Sequence, residues 1–512
     1  MRAYLLASVV AAMLCLPAAA SADHAAPASV EAAPAPTALQ ALLTRAVRQF
    51  QTGDYDAALR NFKTAMDDPG YAGLPVAQRF SILVLRAGCE GARRQAQAAL
   101  RDLNAAAGLA PERRDAGYWR MYFYAGWGAS DYDAMAAATQ AVATQFPDMV
   151  DVLPIHGLYA LFDRLRLTPT TAPQRRALLQ ALRKADYKPL NPLWDGEGLW
   201  LQLFKLDVAA NDAAEARALV SHFRDPSSYI AIQSDRRYAA YLDAFQPADF
   251  QAVSDAKLAR RRADAASYPT RAEAVVYLSN ALLERGRADE ALPLVEAALA
   301  KIAAAPKDKP PFDDDVDQSN WLRDARANLL NRLGRHDEAL AMQVAARDAA
   351  QAEMSDTVSH TINLADAYNA VGQPQKALDI MKDLDEAQAT PYGRMAAAET
   401  RVCAYAQLQD KRRVDDLMAY MRAHAADGPD AMRTALICTD DQEGLAAVYL
   451  KQLDDPDLRG EALGEAQTYI EPAHQTPYEA RMRAALHRML ARPEVRTAIA
   501  KYGFVNSYSL VR

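Results

Sequence analysis

The chain is short of the residues from which catalytic and metal sites are most often built. It has four cysteines and eight histidines in 512 residues, and the histidines, at 24, 156, 222, 336, 360, 424, 474 and 487, form no close pair at ligand spacing. A metal site needs several converging ligands, so no metal is expected. HExxH, GxSxG, a P-loop and a strand-borne GxGxxG are all missing, and no enzyme activity or cofactor is expected. Gly126-Trp127-Gly128 lacks the third glycine and the strand, and reads as close packing of a helix. Period-2 alternation is hard to find, and Val and Ile are scarce beside Ala, which argues against a sheet and for helix. Past the N-terminus no apolar run is long enough to span a bilayer. A net charge of −7 removes any global attraction to nucleic acid or anionic lipid. The one basic cluster, Lys257 to Arg262, reads as a solvated helix face, with an anion site as the alternative.

The N-terminus is MRAYLLASVVAAMLCLPAAASAD. Arg2 supplies a charge, Tyr4 to Leu16 an apolar core, and the alanines around Ala20 a cleavage site, so residues 1–22 read as a secretory signal peptide of bacterial type. Leu14, just before Cys15, is too large for a lipoprotein signal. Residues 23–38 are rich in Ala and Pro and read as a flexible lead-in. The expected location is periplasmic or secreted.

Two segments set the pattern for the rest. Residues 320–351 and 357–387 each hold two amphipathic helical stretches joined at a glycine, Gly334 and Gly372, 38 residues apart. Seven residues before each glycine stands an alanine, Ala327 and Ala365; five after stand Ala339 and Ala377; twelve after stand Ala346 and Leu384. Glycine ends the first helix because it accepts left-handed backbone angles. The small residues let the helices approach. One hairpin cannot bury its apolar stripe alone and must stack on neighbours.

This small–glycine–alanine–apolar frame resembles the tetratricopeptide repeat (TPR), whose unit is about 34 residues. The fold class that follows is all-α, an α-solenoid of stacked helix–turn–helix repeats. In frame, residues 39–149 form an N-terminal array, with Ala46, Gly53, Tyr55, Ala58, Phe62 and Ala65 in the first unit. In the third unit Trp119, Tyr122, Tyr132 and Pro147 match, with Ser130 at the turn. Residues 150–270 form an irregular helical middle, with helical patterns at 153–166, 173–185, 196–209 and 212–223, and IQSDRRYAAYLDAF (232–245) as a joint out of register. Residues 271–425 form a C-terminal array, whose last unit has Cys403, Asp410 and Asp415 in the small, turn and small positions. Residues 426–512 form a helical cap ending in a tail.

Asp313-Asp314-Asp315-Val316-Asp317 alternates carboxylates as a calcium loop would, but Gln318 replaces the loop glycine. The preferred reading makes Asp317 the N-cap of a helix starting near Ser319. Of the three cysteines after residue 22, Cys403 and Cys438 fall on helices expected to be neighbours. Buried free thiols and, in an oxidising compartment, a disulfide are both open.

The resemblance implies that first helices line a concave surface. That places Arg120, Tyr124 and Trp127 on the inner face of the third unit, and Asn328, Asn331, Asn363, Asp366 and Arg401 along a polar groove in the C-terminal array. Some TPR proteins clamp a peptide's C-terminal carboxylate. Asn328, Asn363 and Arg401 fill three of that clamp's five places, but Asp324 and Ala397 stand where it needs lysines. A general polar groove for a protein or peptide partner is the expectation. The function implied is an exported scaffold or adaptor in the cell envelope that binds without catalysis. The alternatives are a structural subunit of a larger envelope assembly, and a carbohydrate-binding protein or enzyme whose site would be marked by converging buried carboxylates within 150–270.

Overall fold

The computed structural model describes residues 37–306, 309–352, 357–387 and 389–512. The expected signal peptide and the lead-in up to residue 36 lie outside the described residues. Thr37 is the first N-cap: its hydroxyl accepts from the Gln40 N–H, and the Gln40 side chain accepts from the Thr37 N–H, a reciprocal capping box. The first helix therefore opens at Ala38, the last residue of the expected lead-in.

Helix follows helix in two compact units, divided between Leu206 and Asp207. The N-terminal unit contains α1 (Ala38–Thr52), α2 (Tyr55–Asp67), α3 (Val76–Ala92), α4 (Ala96–Leu109), α5 (Ala116–Ala129), α6 (Tyr132–Gln145), α7 (Ile155–Arg166) and α8 (Ala172–Lys184). Helix α9 (Glu197–Ala209) crosses the division. The C-terminal unit continues with α10 (Ala213–Val220), α11 (Pro226–Ser234), α12 (Phe250–Ser267), α13 (Ala272–Glu284), α14 (Ala288–Ala304), α15 (Asp315–Arg332) and α16 (His336–Ala352). Then come α17 (Thr357–Ala370), α18 (Pro374–Ile380), α19 (Pro391–Gln407), α20 (Lys411–Ala423), α21 (Pro429–Cys438), α22 (Gln442–Asp454) and α23 (Arg459–Glu465). The end is β1 (Thr468–Ile470), α24 (Pro477–Leu490), α25 (Pro493–Tyr502) and β2 (Ser507–Val511).

Consecutive helices pack as antiparallel hairpins, and the first helices of neighbouring hairpins touch, as α3 does α5 and α17 does α19. The expected small positions lie inside the stack: Ala46, Ala58, Ala327, Ala346, Ala365 and Ala377 are completely buried. Leu384 falls beyond α18, which stops at Ile380. The turns share one device. A left-handed residue ends the first helix: Gly53, Arg94, Ser130, Asn211, Gly286, Gly334, Gly372, Gln409 and Asp440. After Gly53, Ser130, Asn211, Gln409 and Asp440 the next residue is an aspartate whose carboxylate accepts the backbone N–H three residues on. The expected turn residue Asp410 is thus the N-cap of α20, and Gln409 makes the turn.

Two further expectations are corrected. Asp317 lies inside α15 rather than capping it. Asp314 instead caps α13, accepting from the Ala272 and Glu273 N–H groups at 2.7 and 3.1 Å and pairing with Arg271. The cluster 257–262 is not a freely solvated face. Lys257 bridges Asp225 and Glu284 at 3.3 and 2.9 Å, and Arg261 pairs with Asp264 while lying over Tyr277. Of the two states left open for Cys403 and Cys438, the structure holds the disulfide, between α19 and α21, and Cys89 is a buried free thiol.

The tail does more than cap. β2 pairs in parallel with β1, a two-stranded ribbon that the sequence reading did not foresee. The segment after α25 returns to the out-of-register stretch after α11. Asp235 bridges Gly503, the Phe504 N–H donates to the Ser234 carbonyl, and the Tyr508 hydroxyl donates to Gln233. A Cβ at Gly503 would stand 2.3 Å from the Ser234 carbonyl oxygen, so only glycine permits this approach. The C-terminal unit is therefore closed: its last residues are bound to its first helices.

Candidate functional site

In the N-terminal unit, Arg120, Tyr124 and Trp127 rise one helical turn apart on α5. The Arg120 guanidinium lies 5.7 Å from the Tyr124 ring centroid, and the Tyr124 and Trp127 rings are 6.3 Å apart. Tyr124 is 38% exposed, while Trp127 is half-buried against Gly157 of α7. A Cβ at Gly157 would come 3.1 Å from the Trp127 ring and 2.5 Å from Phe123, so this glycine lets α7 support the stack from behind. Gly126, on the opposite side of α5, would place a Cβ 3.0 Å from the Asp131 carbonyl oxygen, in keeping with its reading as a packing residue. The structure brings all three residues of this candidate together.

The C-terminal groove divides. Asn328 is exposed on α15, and Asn331 is within hydrogen-bond distance of His336 at 3.2 Å. Asn363 donates to Asp324 at 3.4 Å, and Gln343 donates to the same carboxylate oxygen at 2.7 Å. Asp366 accepts from the Thr400 hydroxyl at 2.7 Å. Arg401 leaves this row: it pairs with Glu386 at 2.6 Å and donates to the Met381 carbonyl at 3.1 Å, beside α18.

The row is acidic, and its strongest members were not foreseen. Glu399 on α19 faces Asp366 on α17 and Asp430 on α21; burial first, then those two carboxylates, push its carboxyl up to about 9. Asp366 keeps access to water on one side but is otherwise walled in by protein, which pushes it up to about 6. Tyr392 and Tyr478 border the same cluster, and burial with these carboxylates raises both phenols. The Tyr478 hydroxyl lies 3.1 Å from the Cys438 sulfur, so α24 rests on the disulfide. Helix α24 also covers the far end of α15: the segment before it sets His474 against Gly334, and Glu479 and Arg483 influence Arg332. Part of the expected groove is thus occupied by the chain's own C-terminal helix.

A profile of the tetratricopeptide repeat matches residues 272–297 and 320–342, which cover α13, the first part of α14, most of α15 and the start of α16. These two segments of the chain match the tetratricopeptide repeat. No curated protein matches it. Among solved structures, this chain is similar to NprR in complex with its cognate peptide NprX: 9% identity, 75% of this chain and 88% of that one covered, TM-score 0.36. It is similar to a Rap protein complexed with Competence and Sporulation Factor, at 10% identity over 83% and 99% of the two chains, TM-score 0.33. A third is the pentatricopeptide repeat protein PPR10 with an 18-nucleotide psaJ RNA element, at 14% identity over 82% and 61%, TM-score 0.30. Among the described residues no helix is long and apolar enough to cross a membrane.

Proposed function

We propose that this chain is an exported scaffold of the cell envelope that binds a protein or peptide segment on first-helix faces and performs no catalysis. The observation that carries the reading is the stack of Arg120, Tyr124 and Trp127. Tyr, Trp and Arg are the residue types that dominate binding energy at protein interfaces, and here they form one ordered row with Tyr124 open to solvent. The disulfide between Cys403 and Cys438 supports an oxidising compartment, as do the features of residues 1–22. The net charge of −7 supports a protein rather than a nucleic-acid partner.

The reading of an enzyme within 150–270 required converging carboxylates there. In that stretch Glu197, Asp207 and Asp235 are buried, Asp235 ion-paired with Arg237, and Asp163, Asp195 and Glu197 lie near the Tyr159 phenol. The carboxylates whose mutual repulsion is strongest, Asp366, Glu399 and Asp430, lie outside it.

The test is affinity capture from envelope extract with the full chain as bait, followed by mass spectrometry. Arg120→Ala with Tyr124→Ala should release the partner, with helicity unchanged because neither residue is in the core. A partner retained undiminished by this variant would remove the patch from the binding surface.

A further inference from the structure

Helix α24 is seated on one short stretch of the chain, residues 438–442. The Tyr478 hydroxyl lies 3.1 Å from the Cys438 sulfur, Arg488 pairs with Asp440 at 2.8 Å, and the Gln442 amide donates to the Ala485 carbonyl at 3.1 Å. Cys438 ends α21, Asp440 is the left-handed turn residue and Gln442 opens α22. From this seat α24 also reaches α17.

The disulfide ties that stretch to α19, with the two Cα atoms 5.2 Å apart. At the other end of the same two helices the approach is made by packing. A Cβ at Gly428, just before α21, would stand 2.7 Å from the Met395 Cβ of α19. Helices α19 and α21 are therefore pinned twice, by a glycine contact at their start and by a covalent bond at the end that carries α24.

The charges between these pins have one sign. Glu399 stands one turn before Cys403 on α19. It faces Asp366 of α17 and Asp430 of α21, with the Tyr392 and Tyr478 phenols beside them. Asp430 is offset by Arg433 at 2.9 Å, but among the described residues no cation acts on Glu399. Such a carboxyl gains free energy if α19 and α21 part and admit water. The apolar core opposes parting: Val402, Leu436, Leu445 and Met489, one each from α19, α21, α22 and α24, are buried together.

We propose that the Cys403–Cys438 disulfide is a redox-sensitive latch. It holds the α21–α22 turn, and α24 with it, against α19; its reduction lets α24 lift from α17 and uncovers the first-helix face that carries Asp366 and Glu399. The chemistry is exchange with a dithiol. One thiolate of the dithiol attacks the Cys438 sulfur, which is half-buried where Cys403 is buried. The S–S bond breaks, and Cys403 leaves as a thiolate and takes a proton. The second thiolate of the dithiol closes on the mixed disulfide and releases Cys438, which is protonated in turn. Two electrons pass from the dithiol, which ends as a disulfide. Lifting also lets Glu399 ionise, so opening releases a proton and is favoured as the pH rises. The latch lies in the other unit from the α5 patch, so loss of partner capture by the Arg120/Tyr124 variant and failure of the latch are separate results.

The experiment is amide hydrogen exchange of the full chain, oxidised and reduced with dithiothreitol, at about pH 6 and about pH 8, with rates corrected for intrinsic exchange. On reduction at the higher pH, α24 should exchange faster by about tenfold or more, and by less at the lower pH. Helices α1 to α8 should not change. Glu399→Gln should give the same degree of opening at both pH values. Cys403→Ser with Cys438→Ser should match the reduced chain whether or not dithiothreitol is present. Unchanged exchange of α24 on reduction would overturn the proposal, as would equal acceleration over the whole C-terminal unit or a pH dependence that survives in Glu399→Gln.

Discussion

Asp324, Glu399 and Asp430 each stand ten residues before the left-handed residue of their hairpin, Gly334, Gln409 and Asp440. One position of the repeat is therefore acidic in three first helices, and Asp366 adds a fourth carboxylate one turn later in α17. Glu399 suffers most, because it is largely shielded from water and the charges that face it, Asp366 and Asp430, have its own sign. The consequence for stability has a definite direction. A carboxyl raised in the folded state above its unfolded value of about 4.3 binds more protons folded than unfolded between the two. Stability then falls as the pH rises from about 4.3 towards about 9. Glu399→Gln should remove that penalty, raising the melting temperature at pH 8 by the equivalent of at least about 1.4 kcal/mol and leaving it unchanged near pH 4. Equal effects at both pH values would show that Glu399 is not the titrating group. The asparagines of this row were legible in the sequence because Gly334 and Gly372 give their register. Glu399 and Asp430 were not, because Gln409 and Asp440 occupy the turn position that glycine marks elsewhere.

Those non-glycine turns show how the elements are made. A left-handed non-glycine residue costs about 1–2 kcal/mol. Ser130, Asn211, Gln409 and Asp440 are each followed by an aspartate N-cap, which contributes about 1 kcal/mol and offsets most of that cost. Arg94 has no such cap. Replacing Asp410 with Ala should therefore cost about 1 kcal/mol, read in a chemical denaturation series. The cap of α13 comes from far away in sequence, through Asp314. Asp314→Ala, which leaves two buried-end N–H groups without their carboxylate, should cost about 1–2 kcal/mol. The sequence reading placed a capping acid in the right cluster but on the wrong helix, because local pattern cannot report a bond between residues 42 apart. The disulfide joins two helices in the same way. Its loop of 35 residues implies that Cys403→Ser with Cys438→Ser costs about 2–4 kcal/mol, measurable as a lower denaturation midpoint for the variant than for the oxidised wild-type chain.

At the scale of the molecule, helix content, hairpin order and most helix limits followed from periodicity. The helical patterns expected at 153–166, 173–185, 196–209 and 212–223 are observed as α7 to α10, shifted by a few residues at their ends. Closure of the C-terminal unit did not follow. The stretch 232–245 looked irregular because its partners are Gly503, Phe504 and Tyr508 rather than a neighbouring repeat, and no window along the chain contains both. Gly503→Val should break this junction, since its side chain would overlap the Ser234 carbonyl. The expected result is faster amide exchange over β1, α24, α25 and β2 than in wild type, with α1 to α8 unaffected.

The junction also fixes an order of events in the life of each molecule. Arg236 donates to the Ala500 carbonyl, and Tyr508 to Gln233, across 264 and 275 residues. A nascent chain that has reached α23 has made all its repeats of this unit and still has no partner for the stretch after α11. Contacts so distant in sequence form slowly, and until they do, the strand edge of β1 and the end of α11 stand open to other chains. The time between the synthesis of Asp235 and that of Tyr508 is thus an interval in which this protein depends on being kept apart from copies of itself.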